Sequence, residues 1–278
     1  MGSGRSGIPK GIKNVSSKTT KGDLRVRAKS AGYDITSTDA TLKKYRDPMN
    51  TYIDELEKFQ TAMRETDEIK QAAGGELSIR RLRRNVGGEA DIHGHITLNS
   101  TEMPYIKWMR DTLPHEHTHN LVKTLITKEL GFKRGTSEFH KAYMDSVIDH
   151  SINQAALENY KKYMSRQYDR IIKDFSSKLT DTAAGQIAKQ VIDDTRKDKA
   201  ALATITIEQA SKSSGMRDYA LRQYPWTPKG HYIEMPTVAT EVFQKHGYNF
   251  KSLLENSPYS YFVLQNLYSR LHKGKKRK

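Results

Sequence analysis

The chain has no cysteine among its 278 residues. That excludes disulfides, zinc ribbons, iron–sulfur clusters and a cysteine nucleophile, so any metal must be taken by histidine and carboxylate. Long apolar runs are missing too. None approaches the roughly 20 residues that cross a bilayer, and no secretory leader is legible at the start, so neither a membrane partner nor secretion is expected. Acidic residues are scarce at both ends. Residues 1–30 carry eight lysines or arginines against the single acid Asp23, and residues 269–278 carry six basic residues and no acid. The formal net charge of +15 therefore sits almost wholly at the ends, and the chain between them is nearly neutral.

What is present begins with His115-Glu116-His117-Thr118-His119, an H-E-x-x-H pattern. On a helix the first and last histidines lie one turn apart on one face, where both imidazoles reach one zinc ion. Glu116 is then angled toward a water on that ion and can act as general base. The pattern arises by chance in roughly one chain of this composition in fifty, so its surroundings decide its meaning.

Upstream, residues 90–98 alternate Ile92, Ile96 and Leu98 with smaller or polar residues and read as a short strand. Gly87-Gly88 predicts a turn from an earlier strand over 76–83, and a helical pattern begins near Met103 or Pro104. A strand edge beside a metal pairs with an extended substrate, and the strand around His95 is assigned that task. His93 and His95 share a strand face and offer a second metal pair, with exposed polar surface as the plainer reading. The cluster Arg80-Arg81-Leu82-Arg83-Arg84 reads as the solvated face of a strand. Pro114 places the helix start near His115, with Met103–Leu113 a separate short helix, or else distorts the site. His117 points away from the metal face and is expected to be a hydrogen-bonded histidine in or beside the core.

A catalytic zinc keeps three protein ligands and one open position. Two carboxylates compete for the third place. Glu138 lies 19 residues after His119, where a helix starts. Glu234 precedes Pro236 at the start of another helix, on which Glu234, Val238 and Glu241 share one face. Between them, apolar residues at helical spacing run from Ser137 to Phe175, and a second helical stretch covers Asp181–Ile192 and continues to Ala210.

The segment from His231 to Phe243, followed by Phe250, Leu253–Pro258 and Tyr261–Leu264, resembles the end of the lethal-factor-like zincins. It looks closest to zincin-like metallopeptidase domains of phage proteins, and the strand His95–Leu98 and helix His115–Leu121 match their first half. The resemblance spans about 70 residues in two blocks. It implies Glu234 as the third ligand beside His115 and His119, Glu241 supporting the site from behind, and Zn2+ as cofactor.

The expected architecture is therefore α+β, predominantly helical and zincin-like, with a small sheet beside the H-E-x-x-H helix. Residues 1–30 form a basic flexible tail, 31–268 a catalytic domain with a helical insertion over about 137–215, and 269–278 a second basic tail. The expected activity is zinc-dependent hydrolysis of a protein or peptide, with Glu116 as base, Tyr232 as a hydrogen-bond donor to the developing oxyanion, and the basic ends suited to nucleic acid or an acidic surface. The resemblance implies the bacterial host cytoplasm or a phage virion as location. A head-associated structural protein retaining the fold is the alternative, and a nucleic-acid-binding protein with a chance motif is a third.

Overall fold

The computed structural model describes residues 23–273. The chain runs through α1 (Leu24–Ser30), β1 (Tyr33–Ile35), α2 (Asp39–Lys44), α3 (Arg46–Ala62), α4 (Asp67–Ala73), β2 (Gly75–Arg80), β3 (Gly88–Ala90) and β4 (Ile96–Asn99). It continues through α5 (Ile106–Met109), α6 (Thr112–Leu130), α7 (Ser137–Met144), α8 (Val147–Ser176), α9 (Ala183–Ala201), α10 (Ile207–Ser213), α11 (Met235–Lys245), α12 (Phe250–Asn256) and α13 (Pro258–His272). The expected α+β class holds: helices dominate, and the strands form one small mixed sheet.

The sheet order is β1-β2-β4-β3. β1, β2 and β4 are parallel, and β3 closes one edge antiparallel to β4, with Gly88 opposite Leu98 and Ala90 opposite Ile96. The single strand expected over 90–98 is broken. Asp91 Oδ1 accepts the backbone N–H groups of His93 and His95, each at 2.9 Å, and Gly94 turns the chain at φ +92°. An Asx turn thus replaces extended chain, and 88–99 becomes a hairpin. The strand expected over 76–83 ends at Arg80, because Asn99 draws the following backbone into a loop.

α6 is the central element. Leu113, Leu121, Leu125 and Ile126 are buried at helical spacing, and Gly131 ends the helix in the left-handed region at φ +74°. Pro114 falls in the first turn, where its missing N–H costs nothing, so the helix starts beside the proline and the motif is undistorted. α3, α4, α11 and the edge strand β3 pack around it.

Three boundaries differ from expectation. The described part of the N-terminal stretch is folded: Leu24 and Ala28 at i, i+4 bury one stripe of α1, while Arg27 reaches Asp54 at 2.5 Å and Glu57 at 2.6 Å. At the other end Arg270 belongs to α13 and pairs with Glu129. The remaining parts of both basic tails, 1–22 and 274–278, lie outside the described residues. The helical insertion, finally, is not separate from the core at its start. Ile148, Ile152, Ala156, Leu157 and Tyr160 of α8 are buried, and only beyond Tyr160 does this helix of roughly 45 Å leave the core to pack against α9. No described helix is long and apolar enough to cross a membrane.

Candidate metal centre

His115, His119 and Glu234 converge. Each offers one ligand atom, and the three atoms lie within 4.8 Å of one another. Glu234 Oε2 stands 3.5 Å from His115 Nε2 and 3.3 Å from His119 Nε2. The two histidines come from the first turns of α6, one turn apart, and Glu234 occupies the cap position of α11. A hydroxyl pair, Thr118 Oγ1 and Thr240 Oγ1 at 2.9 Å, joins the two helices and sets their register. Among the described residues no other such group of metal-ligating side chains occurs.

Outer contacts orient His115 and Glu234. His115 Nδ1 donates to Glu241 Oε1 at 2.9 Å, which fixes the tautomer and leaves Nε2 to face Glu234. The other oxygen of Glu241 is held by Arg217. Tyr224 donates to Glu234 Oε1 at 2.5 Å, and Thr237 Oγ1 donates to Oε2 at 3.2 Å. Burial opposes charge on His115, yet its bonds to Glu234 and Glu241 outweigh burial and hold its pKa well above the ordinary imidazole range. Burial likewise opposes charge on Glu234, but His119 and His115 hold its carboxyl well below the usual range. Protein alone balances this carboxylate with a proton on imidazole; the donor set of two imidazoles and a carboxylate is equally one that a divalent cation fits.

Glu116 is buried beside these groups, makes no hydrogen bond among the described residues, and faces a cleft of about 580 Å³. The edge strand β3 forms one wall. Gly88 permits its approach, since a Cβ there would come within 2.9 Å of Thr112 Cγ2 and 3.3 Å of Glu116 Cγ. Lys123, two turns beyond His115 on α6, donates to the carbonyls of Ala90 and Asp91 at 3.0 and 2.6 Å and clamps the end of that strand. Tyr219, Tyr224 and Trp226, from the chain between α10 and α11, form another wall, and Tyr143 lines the cleft beside Lys123.

The structure brings together His115, Glu116, His119, Glu234 and Glu241. It leaves three candidates outside. Glu138 is exposed on the first turn of α7 and joins no metal-ligating group. His95 lies in the Asx turn, where its Nδ1 accepts the Glu76 N–H at 3.2 Å; β3, not the segment around His95, borders the cleft. Tyr232 is buried at φ +49° and donates to Glu208, away from the cleft, because the left-handed turn that aims Glu234 inward turns its neighbour outward. His93 and His95 form no metal group. Sequence reasoning missed Tyr219, Tyr224 and Arg217. None has a spacing signal, since all reach the site from the irregular chain between α10 and α11. Set against known proteins, the chain matches no family model, no curated protein and no solved structure, so the geometry carries the functional argument.

Proposed function

We propose that this chain is a zinc-dependent peptidase of zincin-like type, encoded by a phage or mobile element as the resemblance of its two motif blocks implies. One observation carries the reading: two imidazoles and a carboxylate from distant helices meet at one point in a cleft, with an unpartnered carboxylate, Glu116, next to them. His115, His119 and Glu234 would hold the ion, and Zn2+ suits this donor set. Zinc bound there would lower the pKa of a water and polarise the carbonyl to be attacked.

The residues of the chain supply the rest. Glu116 accepts the proton of the attacking water and delivers it to the leaving amine. Glu241, anchored by Arg217, keeps His115 in the tautomer that presents Nε2. β3 is the edge strand beside the cleft, the position from which a sheet pairs with an extended peptide. Burial and the Glu234 charge raise the pKa of Tyr224 far above its ordinary value, so it keeps its proton and donates a hydrogen bond to Glu234, holding that carboxylate in place.

Glu116→Gln tests the reading. Peptide cleavage should fall by about 10²- to 10⁴-fold while the zinc-to-protein ratio, measured by elemental analysis, stays at that of wild type. Zinc retained in both proteins with equal or no turnover would instead favour the head-associated structural role.

A further inference from the structure

Arg83 and Arg84 stand in the sequence as part of a basic run on a strand face. The structure removes them from the strand: β2 ends at Arg80, and both arginines sit in the loop to β3, lining the cleft that holds His115, Glu116 and His119. Arg222 lines the same cleft from the other wall. All three are exposed, and none has an acidic partner among the described residues. The lining acids besides Glu116 and Glu234 reduce to one, Glu89.

The backbone of one wall and the Arg222 side chain of the other are held in place. Asn99 is fully buried and ties the Arg83 loop at three points: its Oδ1 accepts the Leu82 N–H at 3.1 Å, and its Nδ2 donates to the carbonyls of Arg83 at 2.9 Å and Val86 at 2.7 Å. Arg222 lies over the rings of Tyr219 and Tyr224, 5.7 and 4.8 Å from their centroids, and Tyr224 is itself bonded to Glu234. Trp226 stacks on Tyr224 at 4.7 Å and leaves half its surface open to the cleft. These cations are not a by-product of a basic domain, because the chain between its ends is nearly neutral. Of the three lining acids, Glu234 belongs to the central cluster and Glu116 sits beside it, so the outer lining is set by Arg83, Arg84 and Arg222 against Glu89, and a guanidinium matches a carboxylate with two parallel hydrogen bonds.

We infer that the cleft selects acidic peptides, with Arg83, Arg84 and Arg222 binding aspartate or glutamate side chains that flank the bond to be cut. This rests on the peptidase reading for the word "cut", but the preference for an acidic ligand is measurable without turnover. Zinc-loaded E116Q protein serves as an inert host. Binding of a fluorescent alternating Glu-Ala octapeptide is compared with its Lys-Ala and Ser-Ala counterparts and with an oligothymidylate of similar length.

The Glu-Ala peptide should bind tightest. Exposed charge pairs contribute up to about fivefold each, so R83Q/R84Q/R222Q together should weaken it about tenfold or more, with zinc content unchanged. Gln substitutions at Lys10, Lys13 and Lys18, and at Lys275, Lys276 and Arg277, should leave most of the binding intact. Loss that follows the tail substitutions and not the cleft arginines overturns the proposal. So does an oligothymidylate that binds more tightly than the peptide and shows the same loss in the arginine variant, which would assign the cleft to nucleic acid. Acid-peptide binding that depends on the three arginines, combined with no cleavage of any peptide by wild type, would sink the peptidase reading alone. Cleavage that prefers neutral or basic peptides would sink the acidic preference alone.

Discussion

His115 and His119 face one way on α6 and His117 faces the other, and the two faces put the same side chain to opposite uses. On the cleft side, two imidazoles and Glu234 converge, with Glu241 behind His115 and Tyr224 behind Glu234. On the core side, His117 is fully buried, its Nε2 3.0 Å from Glu65 Oε2 and its Nδ1 2.8 Å from the Tyr33 hydroxyl. Tyr268 donates to Glu65 at 2.6 Å, and the rings of Tyr33 and Phe59 close around the imidazole. Both faces pair histidine with a buried carboxylate. What separates them is closure: every nitrogen of His117 is used inside the protein, whereas His115 Nε2 and His119 Nε2 converge on an open cleft. A buried histidine–glutamate pair is thus no sign of a site until its remaining nitrogen has somewhere to point.

The comparison breaks most visibly at the ligands. His115→Ala and Glu234→Ala should each abolish stoichiometric zinc by elemental analysis, while Glu138→Ala should leave the ratio unchanged. The core face should answer differently. His117→Ala should keep its zinc but lose about 1–3 kcal/mol of stability in a denaturant titration, because Glu65 then loses a buried hydrogen-bond partner. Equal zinc loss from His117→Ala would show that the two faces are not independent. Smaller effects belong to the group that supports the site from behind. Glu241→Gln should weaken zinc affinity about 10- to 100-fold in a chelator competition, by loosening the tautomer of His115.

Acid sharpens the contrast further. Burial would raise the Glu65 carboxyl, but His117 and Tyr268 hold it below its ordinary value of 4.5. Its folded pKa is therefore below its unfolded pKa. It contributes stability above the unfolded value, and that contribution fades as pH falls through the folded one. Glu65→Gln should flatten the decline of stability with pH in that acidic window, a change read from unfolding midpoints across the range.

Much of the centre was legible in the sequence because its parts follow helical periodicity. The i, i+4 histidines and the i, i+7 pair Glu234 and Glu241 share their faces for the same geometric reason, whatever lies around them. Pro114 and Pro236 marked helix starts correctly, since both fall where a missing N–H is harmless. The sheet was less legible. Ile92 and Ile96 look like one alternating strand until the Asp91 side chain captures two amides and bends the chain between them. Arg83 and Arg84 read as a strand face, and Arg222 and Tyr224 carried no signal, because loops without periodicity position them through contacts such as that of Asn99, which is 16 residues from the carbonyl of Arg83 it holds.

The bond between His115 and Glu241 spans 126 residues of chain. The H-E-x-x-H histidines and the helix that faces them are therefore strangers for most of synthesis: the histidines leave the ribosome long before α11 exists to meet them. Closing so long a loop is a non-local event, and such contacts form only when the intervening helices are already docked. A nascent or unfolded chain carries the motif yet lacks the cluster, so the convergence of His115, His119 and Glu234 arises only with the finished fold.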